Sequence, residues 1–166
     1  LLHERKKKLP FCLYVVNAVQ EEVGLRGAQM IAERLSPDVA IVTDVCHETT
    51  SPAYKRQEHG LQVAGEGPVL TYGPAVHNNL LRDIIAIAEK NKLPFQRAAT
   101  SRMTGTDTDA FAYSNSGVAS ALISLPLKYM HTTVEMAHKD DVDNVINLIY
   151  KFLLSYDPNT DFRYLT

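Results

Sequence analysis

Phe11-Cys12-Leu13-Tyr14-Val15-Val16-Asn17-Ala18-Val19-Gln20-Glu21-Glu22-Val23-Gly24 is the stretch on which the reading of this chain turns. Residues 11–19 are mostly apolar and rich in β-branched and aromatic side chains, so they predict a buried strand. Two adjacent carboxylates then follow at its carboxyl end. In an open α/β sheet, ligands and reactive groups collect at that end. Ionised neighbours repel, and a fold that keeps them together usually supplies a cation. One carboxylate then ligates while the other handles a proton. Taken alone, the pair also fits two solvated residues in the first turn of the following helix, favoured by its dipole.

Working outward, strand-like and helix-like segments alternate. The pattern predicts a helix over 24–35, closed by Ser36-Pro37, and a buried strand from Val39 to Val45. Residues 47–67 read as mostly loop, with a short strand around Leu61 to Val63. A further strand is expected at Val69 to Thr71. Helical spacing of Leu80, Leu81, Ile84, Ile85, Ile87 and Ala88 predicts a helix over 78–91. Phe95 to Ala99 reads as a strand, 100–108 as a loop, and Asp109 as the N-cap of a short helix. Val118 to Ser124 is the third strongly apolar strand, and Asp140 to Leu154 is a final amphipathic helix. Alternation of this kind implies an α/β fold with three layers, a central mixed, mostly parallel sheet between helices. Leu1 to Lys8 resembles the tail of a helix with cations in its last turn.

The composition narrows the function. The chain has 166 residues, 45% of them hydrophobic and 22% charged, and a formal charge of −2. That suits a single globular domain with a real core and gives no reason to expect nucleic acid or an anionic membrane as partner. No apolar stretch approaches the ~20 residues of a membrane span. Cys12 and Cys46 both lie in apolar runs and read as buried free thiols, so a cytoplasmic setting is expected.

Four groups stand at strand ends or adjoining loops: Glu21, Glu22, Asp44 and His131. Carboxylate and imidazole ligands suit zinc, with cobalt or manganese as substitutes. Their spacing matches no local zinc signature. His47, His59, His77 and His138 read as core, loop or surface groups, and Tyr113 and Tyr129 as packed aromatics. Arg102 and Met103 are candidates to line a side-chain pocket, and Glu135 is a candidate to support His131.

Several motifs in order carry a resemblance. Val19-Gln20-Glu21-Glu22-Val23-Gly24-Leu25-Arg26-Gly27-Ala28 is similar to the double-glutamate motif of the dinuclear zinc aminopeptidases, specifically the tetrahedral and glutamyl aminopeptidases. Ile41-Val42-Thr43-Asp44-Val45 resembles that family's aspartate-bearing strand. Gly67-Pro68-Val69-Leu70, Gly105-Thr106-Asp107-Thr108-Asp109-Ala110 and Lys128-Tyr129-Met130-His131-Thr132-Thr133-Val134-Glu135 resemble its remaining motifs. The resemblance implies a metal-dependent aminopeptidase acting on peptides with a free amino terminus. Glu21 would be the general base toward a metal-activated water, and Glu22, Asp44 and His131 ligands of two divalent metal ions. It also assigns Gly105, Thr106, Asp107 and Asp109 to substrate binding, and a homo-oligomer to the full-length protein. Two further family ligands, a histidine and a bridging aspartate, match no position here. Residues 1–166 therefore read as one catalytic-type domain, truncated at its N-terminus and without the family's inserted β domain. Two rivals stay open: a dinuclear-metal hydrolase of another amide, such as an acylamino acid deacylase, and a metal-free remnant with a structural or binding role.

Overall fold

The order of the strands decides what the sheet can present. The computed structural model describes residues 1–52 and 54–164. Its elements run α1 (Arg26–Leu35), β1 (Val39–His47), α2 (Arg56–His59), β2 (Val69–Tyr72), α3 (Asn78–Lys90), β3 (Gln96–Ala99), α4 (Asp107–Ala112), β4 (Ala119–Lys128), β5 (Met136–Ala137) and α5 (Lys139–Ser155). The sheet order is β1-β4-β2-β3, with β5 on β4. β1 and β4 run parallel from Val39 opposite Ala119 to His47 opposite Leu127. β2 and β3 are also parallel, whereas β2 and β5 each meet β4 antiparallel.

β4 is buried at nearly every position, which requires cover on both faces. α3 and α5 pack on each other and on β4, while α1 packs on α4, which reaches β1 and β4. Leu80, Leu81, Ile84, Ile85 and Ala88 from α3 meet Val145, Leu148 and Phe152 from α5 over Leu70, Ala121 and Ile123 of the sheet. These are the positions that helical spacing selects, so the α/β layering follows from the pattern.

The structure departs from the sequence reading in several places. Residues 11–19 form no strand: the segment joins no ladder, and Tyr14 and Val15 are 62% and 91% exposed. A strand exists only through its ladder, and β1 is bonded along one edge, to β4. Cys12 is accordingly exposed rather than buried. Residues 1–7 make a turn, not a helix end, with Arg5 N–H donating to Leu1 O and Lys7 N–H to Leu2 O. Leu61 to Val63 is not a strand. Gln62 is instead tied to Thr49, whose N–H donates to Gln62 O at 2.9 Å while its hydroxyl accepts from Gln62 N–H at 2.8 Å.

Two element ends also move. β4 continues through Pro126 to Lys128. Pro126 lies past Ser124, the last β4 residue paired with β2, so its missing N–H faces no partner on that side. Thr106, not Asp109, is the N-cap of α4, its hydroxyl accepting from Thr108 N–H at 3.2 Å.

Candidate metal and peptide site

The glutamate pair is placed by the start of α1. Glu21 O accepts from Gly24 N–H at 3.1 Å and Leu25 N–H at 3.0 Å, closing a tight turn. Leu25 sits at φ 57° as the residue before the helix, with no side-chain cap. Gly27 N–H donates to Val19 O at 2.9 Å, and a Cβ on Gly27 would stand 2.4 Å from that same oxygen. Only glycine lets the incoming chain lie this close to the helix, and the turn that follows holds Glu21 near Asp44 and Glu22 near His131.

Asp44 arrives on β1, half-buried, its Oδ1 accepting from Val45 N–H at 2.7 Å. His131 follows β4 in a loop where Tyr129 and His131 both take positive φ, 58° and 65°. Glu135 stabilises that loop by accepting the His131 N–H at 2.5 Å. His131 Nδ1 lies 3.8 Å from Glu22 Oε1. Asp107 opens α4, and its Oδ1 is buried without a hydrogen-bond partner.

The electrostatics show that these groups share one field. Burial raises the Glu21 pKa, and Asp44, Glu22 and Asp107 add to the rise while His131 opposes it. Burial also raises Asp44, with the Val45 N–H opposing and Glu22 adding. Asp107 is raised by burial and then by Asp44. Burial is the first cause at Glu21, Asp44 and Asp107, and neighbouring carboxylates add to it at each.

The structure thus brings Glu21, Glu22, Asp44, Asp107 and His131 toward one another. Among the described residues no three His, Cys, Asp or Glu side chains stand close enough to hold a metal ion. The donor chemistry, carboxylates with an imidazole, nevertheless fits a divalent cation, and the orphaned Asp107 oxygen marks an unfilled acceptor. Asp109 differs from Asp107. It is 2% exposed, and its oxygens accept Thr104 N–H at 3.0 Å and Gly105 N–H at 2.8 Å, so it shapes the 104–109 loop. Thr106 is occupied as the cap, and Gly105, at φ 74°, lets the loop turn.

Two cavities are lined by none of Glu21, Glu22, Asp44, Asp107 or His131. One of about 650 Å³ lies by Asp38, His77, Gly117 and Tyr164, at the opposite ends of β1 and β4 from His131. A second, about 290 Å³, lies between Leu25 and Gln29 of the α1 start and Met103 and Asp109 of the neighbouring loop. The chemistry rather than the cavity size locates the site.

Two residues that the sequence reading did not assign to the site, His47 and Tyr54, stand beside it. His47, at the end of β1, has its ring centroid 6.4 Å from that of His131, and Tyr54 holds it through a 2.5 Å contact to Nδ1. Burial, then the nearness of His131 and His59, lowers the His47 pKa. Its position three residues beyond Asp44 was the available signal. Cys46, expected to be buried, is half-buried: burial, then Asp44 and Asp141, push its thiol up to about 12, which favours the protonated form.

Residues 1–148 match the family model of the M42 glutamyl aminopeptidases. The chain belongs to the M42 glutamyl aminopeptidase family. Lysyl aminopeptidase of Pyrococcus furiosus is 37% identical over 148 residues, covering 88% of this chain and 41% of that protein. The structure of a TET aminopeptidase from a marine sediment Thaumarchaeota archaeon superposes with a TM-score of 0.87 at 31% identity, covering 95% of this chain and 44% of that one. The Pyrococcus horikoshii TET1 peptidase, which can assemble into a tetrahedron or a large octahedral shell, gives a TM-score of 0.66 at 30% identity over 84% of this chain and 40% of that one. The M42 chain described here therefore spans about two fifths of the length of the curated relative, 41%. No helix among the described residues is long and apolar enough to cross a membrane.

Proposed function

We propose that this chain carries the general base and part of the metal-binding shell of a metal-dependent aminopeptidase that removes N-terminal residues from peptides. One observation carries the reading. In a chain of the M42 family, Glu21, Asp44 and Asp107 each have a pKa raised first by burial and then by neighbouring carboxylates, beside an imidazole 3.8 Å from Glu22. Glu22, Asp44 and His131 would hold the metal, together with ligands that the family resemblance places upstream of the glutamates. Two divalent cations, zinc with cobalt or manganese as substitutes, would supply Lewis acidity at the peptide carbonyl and acidify a water.

Glu21 is the group for proton movement. Its raised pKa favours taking a proton from the attacking water and passing it to the leaving amine. The Asp107 oxygen without a partner is suited to the substrate's α-ammonium group, and Asp109, Thr106 and Gly105 hold the loop that carries it. A cytosolic setting and a homo-oligomer of the full-length protein, in the manner of the TET1 peptidase, complete the reading.

The test is Glu21→Gln in the full-length protein, assayed on amino-acyl p-nitroanilides with free and acetylated amino termini. Metal content should stay at the wild-type level while turnover on the free-amine substrate falls by at least about 100-fold, the size of a general-base contribution. Substantial residual turnover would remove Glu21 from that role. Preference for the acetylated substrate in the wild type would point to the deacylase reading instead.

A further inference from the structure

His131 is a weakly anchored member of the candidate site. Its side chain is 61% exposed, and its partner Glu22, 3.8 Å away, is itself 75% exposed. The backbone beneath it is fixed by Glu135, but that bond leaves the imidazole free to rotate. An imidazole that must meet a metal with one nitrogen gains from a neighbour that limits its rotamers.

His47 is placed to be that neighbour. It closes β1, where Leu127 of β4 is its register partner, so its backbone belongs to the rigid sheet. Its Nδ1 lies 2.5 Å from the Tyr54 hydroxyl, and the two rings are tilted by 37° with centroids 4.6 Å apart. Whichever atom carries the proton, this bond fixes the plane of the His47 ring. That ring meets His131 with centroids 6.4 Å apart at an interplanar angle of 63°, inside the range for edge-to-face packing.

Tyr54 is held in turn. Its N–H donates to Ser51 O at 3.1 Å, and its ring packs edge-on against His59 at 6.0 Å. The preceding turn is pinned by buried Glu48, whose carboxylate accepts from the Thr50 N–H and hydroxyl and from the Ser51 hydroxyl. A line of fixed groups thus runs from the 48–54 turn to an otherwise exposed imidazole.

We propose that His47, clamped by Tyr54, is a positioning residue that orients the His131 imidazole in the metal site. The inference rests on the reading of His131 as a ligand, and the experiment separates the two. Imidazole ¹H–¹⁵N spectra of the metal-free chain report the His131 ring directly. Equilibrium dialysis against Zn²⁺ alone reports metal affinity. H47A and Y54F should each shift and broaden the His131 ring resonances, whereas H47F, which keeps a ring against His131, should stay nearer the wild type. H47A should also weaken zinc roughly tenfold, the lower end of the loss seen when an outer-shell partner is removed.

An unchanged His131 ring in both H47A and Y54F overturns the positioning role, and that spectrum decides whether or not the chain retains zinc. If H131A weakens zinc while H47A changes neither readout, only the positioning role falls. If H131A leaves zinc binding intact, the ligand reading of His131 falls, and with it the assignment of this contact to a metal site.

Discussion

Asp141 offers a demanding test of how the fold is held around the site. It stands in the first turn of α5 and is 1% exposed. Its two oxygens accept the Gly65 N–H at 2.7 Å and the Gly67 N–H at 2.8 Å, joining a helix to the loop that enters β2 across more than seventy residues of sequence. Hydrogen bonds to a charged acceptor contribute ~1.5–3 kcal/mol each, and a buried N–H left unmade costs ~1–3 kcal/mol. A carboxylate near a helix N-terminus adds ~0.3–1 kcal/mol. These overlap, and water entering the space left by Asp141→Ala recovers part. The expected loss is therefore about 3–5 kcal/mol, a large share of the ~5–15 kcal/mol available to a typical domain. Asp141→Asn keeps one good acceptor and turns an amide toward the other N–H, so it should cost about 2 kcal/mol. Urea unfolding followed by far-ultraviolet circular dichroism gives both values. Heating should show Tm falling by roughly 10 °C for the alanine variant, at ~2–4 °C per kcal/mol for this size. An alanine variant within about 1 kcal/mol of wild type, with an unchanged urea slope, would refute the idea that Asp141 secures this loop.

The same loop and the 48–54 turn yield two more expectations. Gly67 has φ +95°, and a Cβ there would lie 2.4 Å from Pro94 O. Gly67→Ala should therefore lose more than the ~1–3 kcal/mol of the backbone conformation alone. Because both act on one loop, its cost should combine with that of Asp141→Ala less than additively, as a double-mutant cycle in urea will show. Glu48 is 1% exposed. Burial pushes its pKa up, but hydrogen bonds from Thr50 and Ser51, with Lys128 nearby, outweigh that and leave it below its ordinary 4.5. A carboxyl depressed by folding contributes stability that is fully present above 4.5 and is lost as pH falls through its folded value. Glu48→Gln should thus be less stable than wild type near neutrality, with the gap closing in acid. A gap that persists unchanged through that acid range would show that the carboxylate is not the source.

How much of this was legible in the sequence depended on whether burial alone decides an element. α3 was legible because Leu80, Leu81, Ile84, Ile85 and Ala88 share a helical face, and each is buried. β1 and β4 were legible because a central parallel pair is apolar on both faces. Residues 11–19 have the same composition but no ladder, and composition does not encode a missing partner. Asp109 reads equally well as a cap or as a back-reaching carboxylate, and the choice lies in the 104–106 loop, whose N–H groups it takes. The Tyr54–His47 contact was illegible because it depends on a turn shaped by Glu48, a glutamate whose immediate neighbours, His47 and Thr49, do not mark it as buried.

The site itself was legible as a list of residues, but its charge imbalance appears only in three dimensions. Glu21, Asp44 and Asp107 come from a helix entry, a strand and a second helix start, far apart in the chain. Folding concentrates them, and each is partly desolvated. Among the described residues no lysine or arginine forms an ion pair with any of them or with Glu22. Desolvated like charges oppose folding, since each ionised carboxylate raises the cost of the next. Hydrophobic packing under the site, through Ala28, Ala32, Ala110 and Leu122, offsets that cost without removing it. A divalent cation would remove it at the source, because its charge turns mutual repulsion among the carboxylates into shared attraction. The same imbalance that opposes folding would favour a bound cation, so folding and metal binding are expected to reinforce one another here.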